Sequence, residues 1–274
     1  MTHPVPCPRP QAAFTIVEML LVVAIIGLLA AMALPQLSGF TRANTIAAAS
    51  QQMLDDVNLA RHRALSTRSA VYMVFLPTNF WDLLPANNLG QNSVISNLLT
   101  HPCACYAVIS LRSVGDQPGR SYPRYLMDWK PLPDGSFIAP FKFVSNSAPV
   151  VIYSTNSLSR SVTASTNYPF SEVRVPFPSV AAAAGTTNVP LPCIGFTPYG
   201  QLLPVVLANG QTMNIDQYIP LDFGSILYAT GPNGNPVEGP AIISESPPGN
   251  ATNNCNLVHI NWLIGQARIE RNQF

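Results

Sequence analysis

Charge is scarce in this chain of 274 residues: Asp, Glu, Lys and Arg make up 10% of it, with 14 basic side chains against 13 acidic and a net charge of +1. A soluble domain carries roughly 25%. Neither a polybasic nucleic-acid binder nor an acidic disordered tail has this composition. Also missing are a Walker loop, a Gly-x-Ser-x-Gly elbow, a His-Glu-x-x-His pair and a dinucleotide fingerprint. His62, His101 and His259 stand far apart, and nothing pairs an acid with a base. The sequence therefore implies no enzyme, no cofactor and no metal centre. No internal repeat is visible. What is plentiful is Pro, at 27 residues, together with Ser, Thr and Asn. A surface built from neutral polar groups is commoner outside the cytoplasm.

The mean hydropathy of +0.21 is concentrated in one place. Residues 14–34 form an apolar run interrupted by a single charge, Glu18. As a helix the run is about 31 Å long at 1.5 Å per residue, enough to cross a bilayer core. Ahead of it lies a short segment with Pro at 4, 6, 8 and 10 and one basic residue, Arg9, and it cannot be helical. Ala31-Met32-Ala33 has the small residues of an ordinary secretory cleavage site, which would release a secreted β domain. Against that alternative, Glu18 falls near the start of the apolar stretch and the preceding segment has no excess of positive charge.

The residues Ala13-Phe14-Thr15-Ile16-Val17-Glu18, followed by the apolar run and Pro35, resemble the processing site of type IV prepilins and type II secretion pseudopilins. The resemblance implies that prepilin peptidase cuts between Ala13 and Phe14 and methylates the new amino terminus at Phe14. The family usually has Gly where this chain has Ala13. It further implies an inner-membrane anchor with the head outside the cytoplasm, and a place in a filament beside other pilin or pseudopilin subunits. Glu18 would there pair with the Phe14 amino group of a neighbouring subunit and set the axial register. A carboxylate in an apolar helix costs on the order of 3 kcal/mol at the bilayer centre, so it is rarely kept without a partner. Burying both charges offsets much of their attraction, so the pair supplies register more than stability.

Pro35 lacks an amide hydrogen and Gly39 weakens helix, so a kink or loosening is expected there. Beyond them Ile46, Ala49, Met53, Val57, Ala60 and Ala64 recur at helical spacing, an amphipathic stripe on a helix extending to about residue 66. Gln51, Asp55, Asp56 and Asn58 mark the opposite face as solvated. After residue 70 the period becomes strand-like, in short runs at 71–76, 106–111, 141–144, 150–153, 172–175, 202–207, 225–228, 241–244 and 258–264. Residues 78–100, 181–192 and 231–239 read as exposed loops or insertions. The expected fold class is α+β: a long amino-terminal helix, membrane-spanning then amphipathic, packed on an antiparallel β-sheet or sandwich head. The expected organisation is a leader at 1–13, an apolar assembly helix at 14–35, its amphipathic continuation at 36–68, and a head at 69–274 with an insertion within 78–192.

Three passages resemble segments of prepilin heads, the first a turn entering a strand in many of them and the other two those of the GspH/FimT type, the minor-subunit class. They are Trp129 to the Leu132-Pro133-Asp134-Gly135 turn, Phe196-Thr197-Pro198-Tyr199-Gly200, and Gly265 with Arg268 in a last strand. Some proteins of that group bind DNA through arginines near the carboxyl terminus, which makes Arg268 and Arg271 the candidate contacts if DNA is a partner. Two arginines reach only a few phosphates, so such binding would be weak and sensitive to salt. Arg61, Arg63 and Arg68 lie at the end of the long helix, where they also suit its dipole. With Cys7 in the leader, Cys103, Cys105, Cys193 and Cys255 remain. An even number in an exported domain predicts two disulfides, with three connectivities open and Cys103–Cys105 the most strained.

Overall fold

The computed structural model describes residues 15–83, 93–112, 115–116, 122–144, 148–156, 161–179, 187–207, 210–253 and 255–271, excepting the side chains of 30–41, 93–94, 96, 153–156, 161–163, 187 and 271. The chain divides into two compact units, Met1–Ala43 and Asn44–Phe274. Helix α1 (Ile16–Thr67) is a single helix of 52 residues, and it continues as helix through Pro35 and Gly39. The side chains of those two residues lie outside the described set, as do Ala13 and Phe14 altogether. The described apolar side chains of the first unit run from 15 to 29. Among the described residues no helix is long and apolar enough to cross a membrane.

In the second unit the apolar stripe of α1 is buried: Ala49, Met53, Val57, Ala60 and Ala64 are all 0% exposed. Burying a side chain the size of Val or Met is worth roughly 1.5–3 kcal/mol, so the stripe is a principal reason this part of the helix stays on the head. The helix stops at Thr67, and Arg68 follows in the left-handed region at φ 48°. That closing position normally belongs to Gly, and a side chain there costs about 1 kcal/mol.

The first sheet has the order β3 (Arg124–Pro131), β2 (Cys105–Ser110), β1 (Val71–Phe75), β8 (Thr187–Phe196) and β7 (Ser171–Phe177), antiparallel throughout. The second has β12 (Ile242–Glu245), β11 (Gln217–Leu227), β13 (Asn256–Ile260) and β14 (Ala267–Arg271), with β4 (Ser136–Ile138) also paired to β11. Two small hairpins complete the strands, β5 (Val150–Asn156) with β6 (Ser161–Asn167) and β9 (Val205–Val206) with β10 (Thr212–Met213). The architecture is α+β with antiparallel sheets and an amino-terminal helix. The α1 stripe packs with inward residues of both sheets, among them Phe75, Tyr106, Phe196, Leu221 and Val258. The opposite face of the first sheet has its own core, closed by a 3-10 turn (Phe80–Leu83) and helix α2 (Ser93–Leu98). With both faces covered, β1 and β2 are apolar runs instead of alternating strands.

Several expectations need correction. The segment 78–100 is not simply an exposed loop, because Phe80, Ile95 and Leu98 roof the first sheet. The loop expected at 181–192 gives way at residue 187 to β8, which pairs with both β1 and β7. The strand expected at 141–144 is a 3-10 turn (Pro140–Phe143) with Pro at its start. That turn directs Lys142 inward, where Nζ donates to Asn167 Oδ1 at 2.8 Å, Tyr168 O at 2.5 Å and Gln217 Oε1 at 3.2 Å, and lies 4.5 Å from the Phe170 ring centre. Burial pushes this amine well below the ordinary lysine range. The strand expected at 202–207 shrinks to two residues, since Pro204 has no N–H to give a ladder.

Candidate functional site

The start of α1 is a capped helix end. Thr15 Oγ1 accepts the backbone N–H of Glu18 at 3.3 Å, and Thr15 O accepts that of Met19 at 3.2 Å. Thr15 is therefore the N-cap, and Glu18 stands at the third helical position, the spacing of a Thr-x-x-Glu box. A carboxylate in the first turn also faces the positive end of the helix dipole. This local role of Glu18 was readable from the spacing alone and was missed. The apolar side chains that follow are open: Ile16 is 81% exposed, Leu20 65%, Val23 66% and Ile26 59%. Contiguous apolar surface of this kind marks a contact with protein or lipid.

The second half of α1 has a polar seat as well as an apolar one. Tyr106 Oη donates to Asp56 Oδ2 at 2.6 Å, and Lys130 Nζ meets the same oxygen at 2.6 Å. Gln52 Nε2 donates to Tyr106 Oη at 2.9 Å and to Pro131 O at 2.8 Å. Asp56 is only 6% exposed, so it is the exception on a face read as solvated, where Gln51 and Asp55 are indeed exposed. The separation is narrow: Asp55, one residue earlier, is exposed and accepts from Gln51 Nε2 at 2.9 Å. Burial, followed by the bond to Asp56, pushes the Tyr106 hydroxyl pKa far up.

Farther along the helix, Arg61 joins two distant turns. Its Nε donates to Ile264 O at 2.8 Å and lies 3.3 Å from Gly200 O. Gly200 and Gly265 have φ of 78° and 63°, and a Cβ on Gly265 would lie 1.9 Å from Gly200 O. Two of the passages singled out in the sequence thus meet on one helical arginine. The third also forms a turn, with Gly135 at φ 82° leading into β4.

Residues 8–34 match a family model described as the prokaryotic N-terminal methylation motif. The chain has a type IV pilin-like amino terminus. Prepilin-type cleavage and methylation, handling by the peptidase and assembly with other pilin subunits are what that motif implies. Comparison with curated proteins and with solved structures finds no match.

The other candidate residues of this pilin-like chain are dispersed. Cys103, Cys105, Cys193 and Cys255 are all buried free thiols, in place of the two disulfides expected. Cys193 lies opposite Val74, and Cys105 lies next to Leu76 on the other side of β1. They are two strands apart, about 10 Å, beyond the roughly 7 Å a disulfide spans. Cys255 belongs to a separate cluster with Ile152 and Leu257. Burial pushes the thiols of Cys105, Cys193 and Cys255 up to about 12.

Arg268 pairs with a carboxylate on its own strand, its Nη2 2.8 Å from Glu270 Oε1, and its side chain is 69% exposed. The side chain of Arg271 lies outside the described residues. Glu270 also serves a group the sequence left isolated. His259 Nδ1 lies 2.8 Å from Glu270 Oε1 and Nε2 2.8 Å from Asp216 Oδ2, while Tyr218 stacks on the ring at 4.5 Å. Both ring nitrogens face carboxylates, which favour the protonated ring, while Arg268 Nε, 3.1 Å from Nδ1, opposes it. Burial pulls its pKa down, but the two carboxylates outweigh burial and the net shift is upward. Among the described residues no group of His, Cys, Asp and Glu could hold a metal ion.

Proposed function

We propose that the chain is a non-enzymatic structural subunit, a minor pilin or pseudopilin, that enters a type IV pilus or a type II secretion pseudopilus. Prepilin peptidase cuts between Ala13 and Phe14 and Phe14 is methylated. Residues 14–34 anchor the subunit in the inner membrane with its head outside the cytoplasm, an orientation that agrees with Arg9 on the cytoplasmic side. The observation that carries the reading is Glu18 in an exposed apolar helix inside the matched motif. The head supports a GspH/FimT-like assignment through the meeting of the Gly200 and Gly265 turns on Arg61.

Sequencing the amino terminus of the protein from its native membrane tests the processing step. N-methylated Phe14 is expected, and a start at Leu34 means conventional secretion instead. For assembly, Glu18→Ala is expected to be cut normally yet to stay out of filaments, because the unmatched Phe14 ammonium has no partner in the apolar core. Glu18→Gln isolates the charge, since it keeps the size and polarity of the side chain and leaves the Thr15 cap on the backbone N–H of residue 18 in place. Incorporation of either variant at the wild-type level would sink the register mechanism.

A further inference from the structure

Of the two lysines in the chain, Lys130 pairs with Asp56, whereas Lys142 is 0% exposed and meets no carboxylate among the described residues. Its three oxygen neighbours are all amide oxygens: Asn167 Oδ1, Tyr168 O and Gln217 Oε1. An ammonium taken out of water with only neutral partners is costly, and cores seldom keep one. Burial favours the uncharged amine instead, which carries a free electron pair. The partners are equally unusual. Asn167 and Gln217 are 1% and 4% exposed, and among the described residues neither Asn167 Nδ2 nor Gln217 Nε2 has a hydrogen-bond partner. A buried amide nitrogen left without an acceptor is rare in native proteins.

Geometry joins the two anomalies. Nζ lies 2.8 Å from Asn167 Oδ1, and Cγ is one C=O bond of about 1.23 Å farther on, so Nζ and Cγ are at most about 4 Å apart. A small turn of the carboxamide reaches the roughly 3–3.5 Å of an attack conformer. The pair is held there: Phe170 N–H donates to Lys142 O at 2.9 Å, and the centre of the Phe170 ring lies 4.5 Å from Nζ. We infer that Lys142 and Asn167 join in an amide crosslink within the head. Lys142 Nζ attacks Asn167 Cγ with its electron pair. The Nζ–Cγ bond forms, the Cγ–Nδ2 bond breaks, and one Nζ proton passes to Nδ2, which leaves as ammonia. Nothing is oxidised or reduced, so no co-reactant enters. The product removes both anomalies at once: the amine becomes a neutral N–H that still donates to Tyr168 O, and the unpartnered Nδ2 departs. With no carboxylate to shuttle the proton among the described residues, the step is slow and follows folding. Its driving factor is proximity, since groups oriented in this way reach effective concentrations of about 10⁵–10⁸ M. The bond ties the end of β6 to the 3-10 turn ahead of β5 and closes a covalent loop around the β5–β6 hairpin.

The test is intact-mass measurement on the full chain in detergent, freshly purified and again after several days of storage. The wild type is expected to lose about 17 Da, the mass of ammonia, in a fraction that rises with time. Trypsin cuts after Arg124, Arg160 and Arg174, so the linked protein yields a branched peptide in which 125–160, uncut at Lys142, is joined to 161–174. Lys142→Arg is expected to show no such loss and to release 161–174 unattached. The inference fails if the stored wild type keeps its unmodified mass, or if the loss persists in Lys142→Arg. It fails equally if the loss maps to a succinimide at an Asn-Gly pair such as Asn233-Gly234, or if the branch joins Lys142 to Gln217. Leader removal and methylation alter only the amino-terminal peptide, so failure of the proposed processing and failure of this bond are read apart.

Discussion

Replacing Asp56 by Ala tests whether α1 is held on the head by a polar seat as well as by its apolar stripe. The substitution leaves Tyr106, itself 0% exposed, with a hydroxyl that has lost its acceptor. An unmade buried bond of this kind costs about 1–3 kcal/mol. The Lys130 ion pair adds less, because the Lys130 side chain is 42% exposed and can return to water, so about 0.5 kcal/mol is a fair allowance after screening. The sum is roughly 1.5–3.5 kcal/mol, or a fall in Tm of about 3–14 °C for a head of this size. Thermal unfolding of the full chain in detergent, followed by near-UV circular dichroism, reads the shift. Asp55→Ala is the matched control on the exposed face and is expected to move stability by less than about 0.5 kcal/mol. A double-mutant cycle with Tyr106→Phe isolates the pair and is expected to show a coupling of about 1–2 kcal/mol. Equal shifts for Asp55→Ala and Asp56→Ala, or a coupling near zero, would refute the seat.

Gly265→Ala is expected to destabilise the head by several times more than Gly234→Ala. Both residues have positive φ, but a Cβ at 265 meets Gly200 O at 1.9 Å whereas one at 234 meets nothing within 4 Å; comparable denaturant midpoints would contradict this. The His259 clamp predicts a window of pH. The raised His259 pKa gives stability that is full below the unfolded value of about 6.5 and lost as pH rises through the folded one. The Glu270 pKa is lowered, by the bond from His259 first and by Arg268 as well, and its contribution is full above about 4.3 and lost as pH falls through the folded value. Wild type should therefore gain most over His259→Gln between about pH 4.5 and 6.5, and a difference between the two that is flat in pH removes the clamp. The buried thiols are expected to resist an aromatic disulfide reagent in the native protein and to react once it is unfolded. An intact mass about 4 Da lower, with no reaction in denaturant, would mean two disulfides after all.

The motif and helix at the amino terminus were legible because their information is local. Cleavage residues, a carboxylate and an apolar run lie within a few turns of each other, and the stripe from Ala49 to Ala64 repeats at the period of the helix that buries it. The positive-φ turn at Gly135 was also visible as a short motif, whereas Gly265, read as part of a last strand, sits in the turn before β14. What remained hidden depends on partners far away in the chain. Nothing near Asp56 distinguishes it from Asp55; Tyr106 and Lys130, brought together by strand pairing, make one buried and leave the other in water. His259 acquires its two carboxylates from β14 and from the approach to β11, and sheet pairing sets Cys105 and Cys193 on strands either side of β1. Local sequence thus determined the pilin-like amino-terminal motif and the stripe that α1 buries on the head. Register and crossing of strands, which no short window encodes, decided which charges are buried and which thiols stay apart.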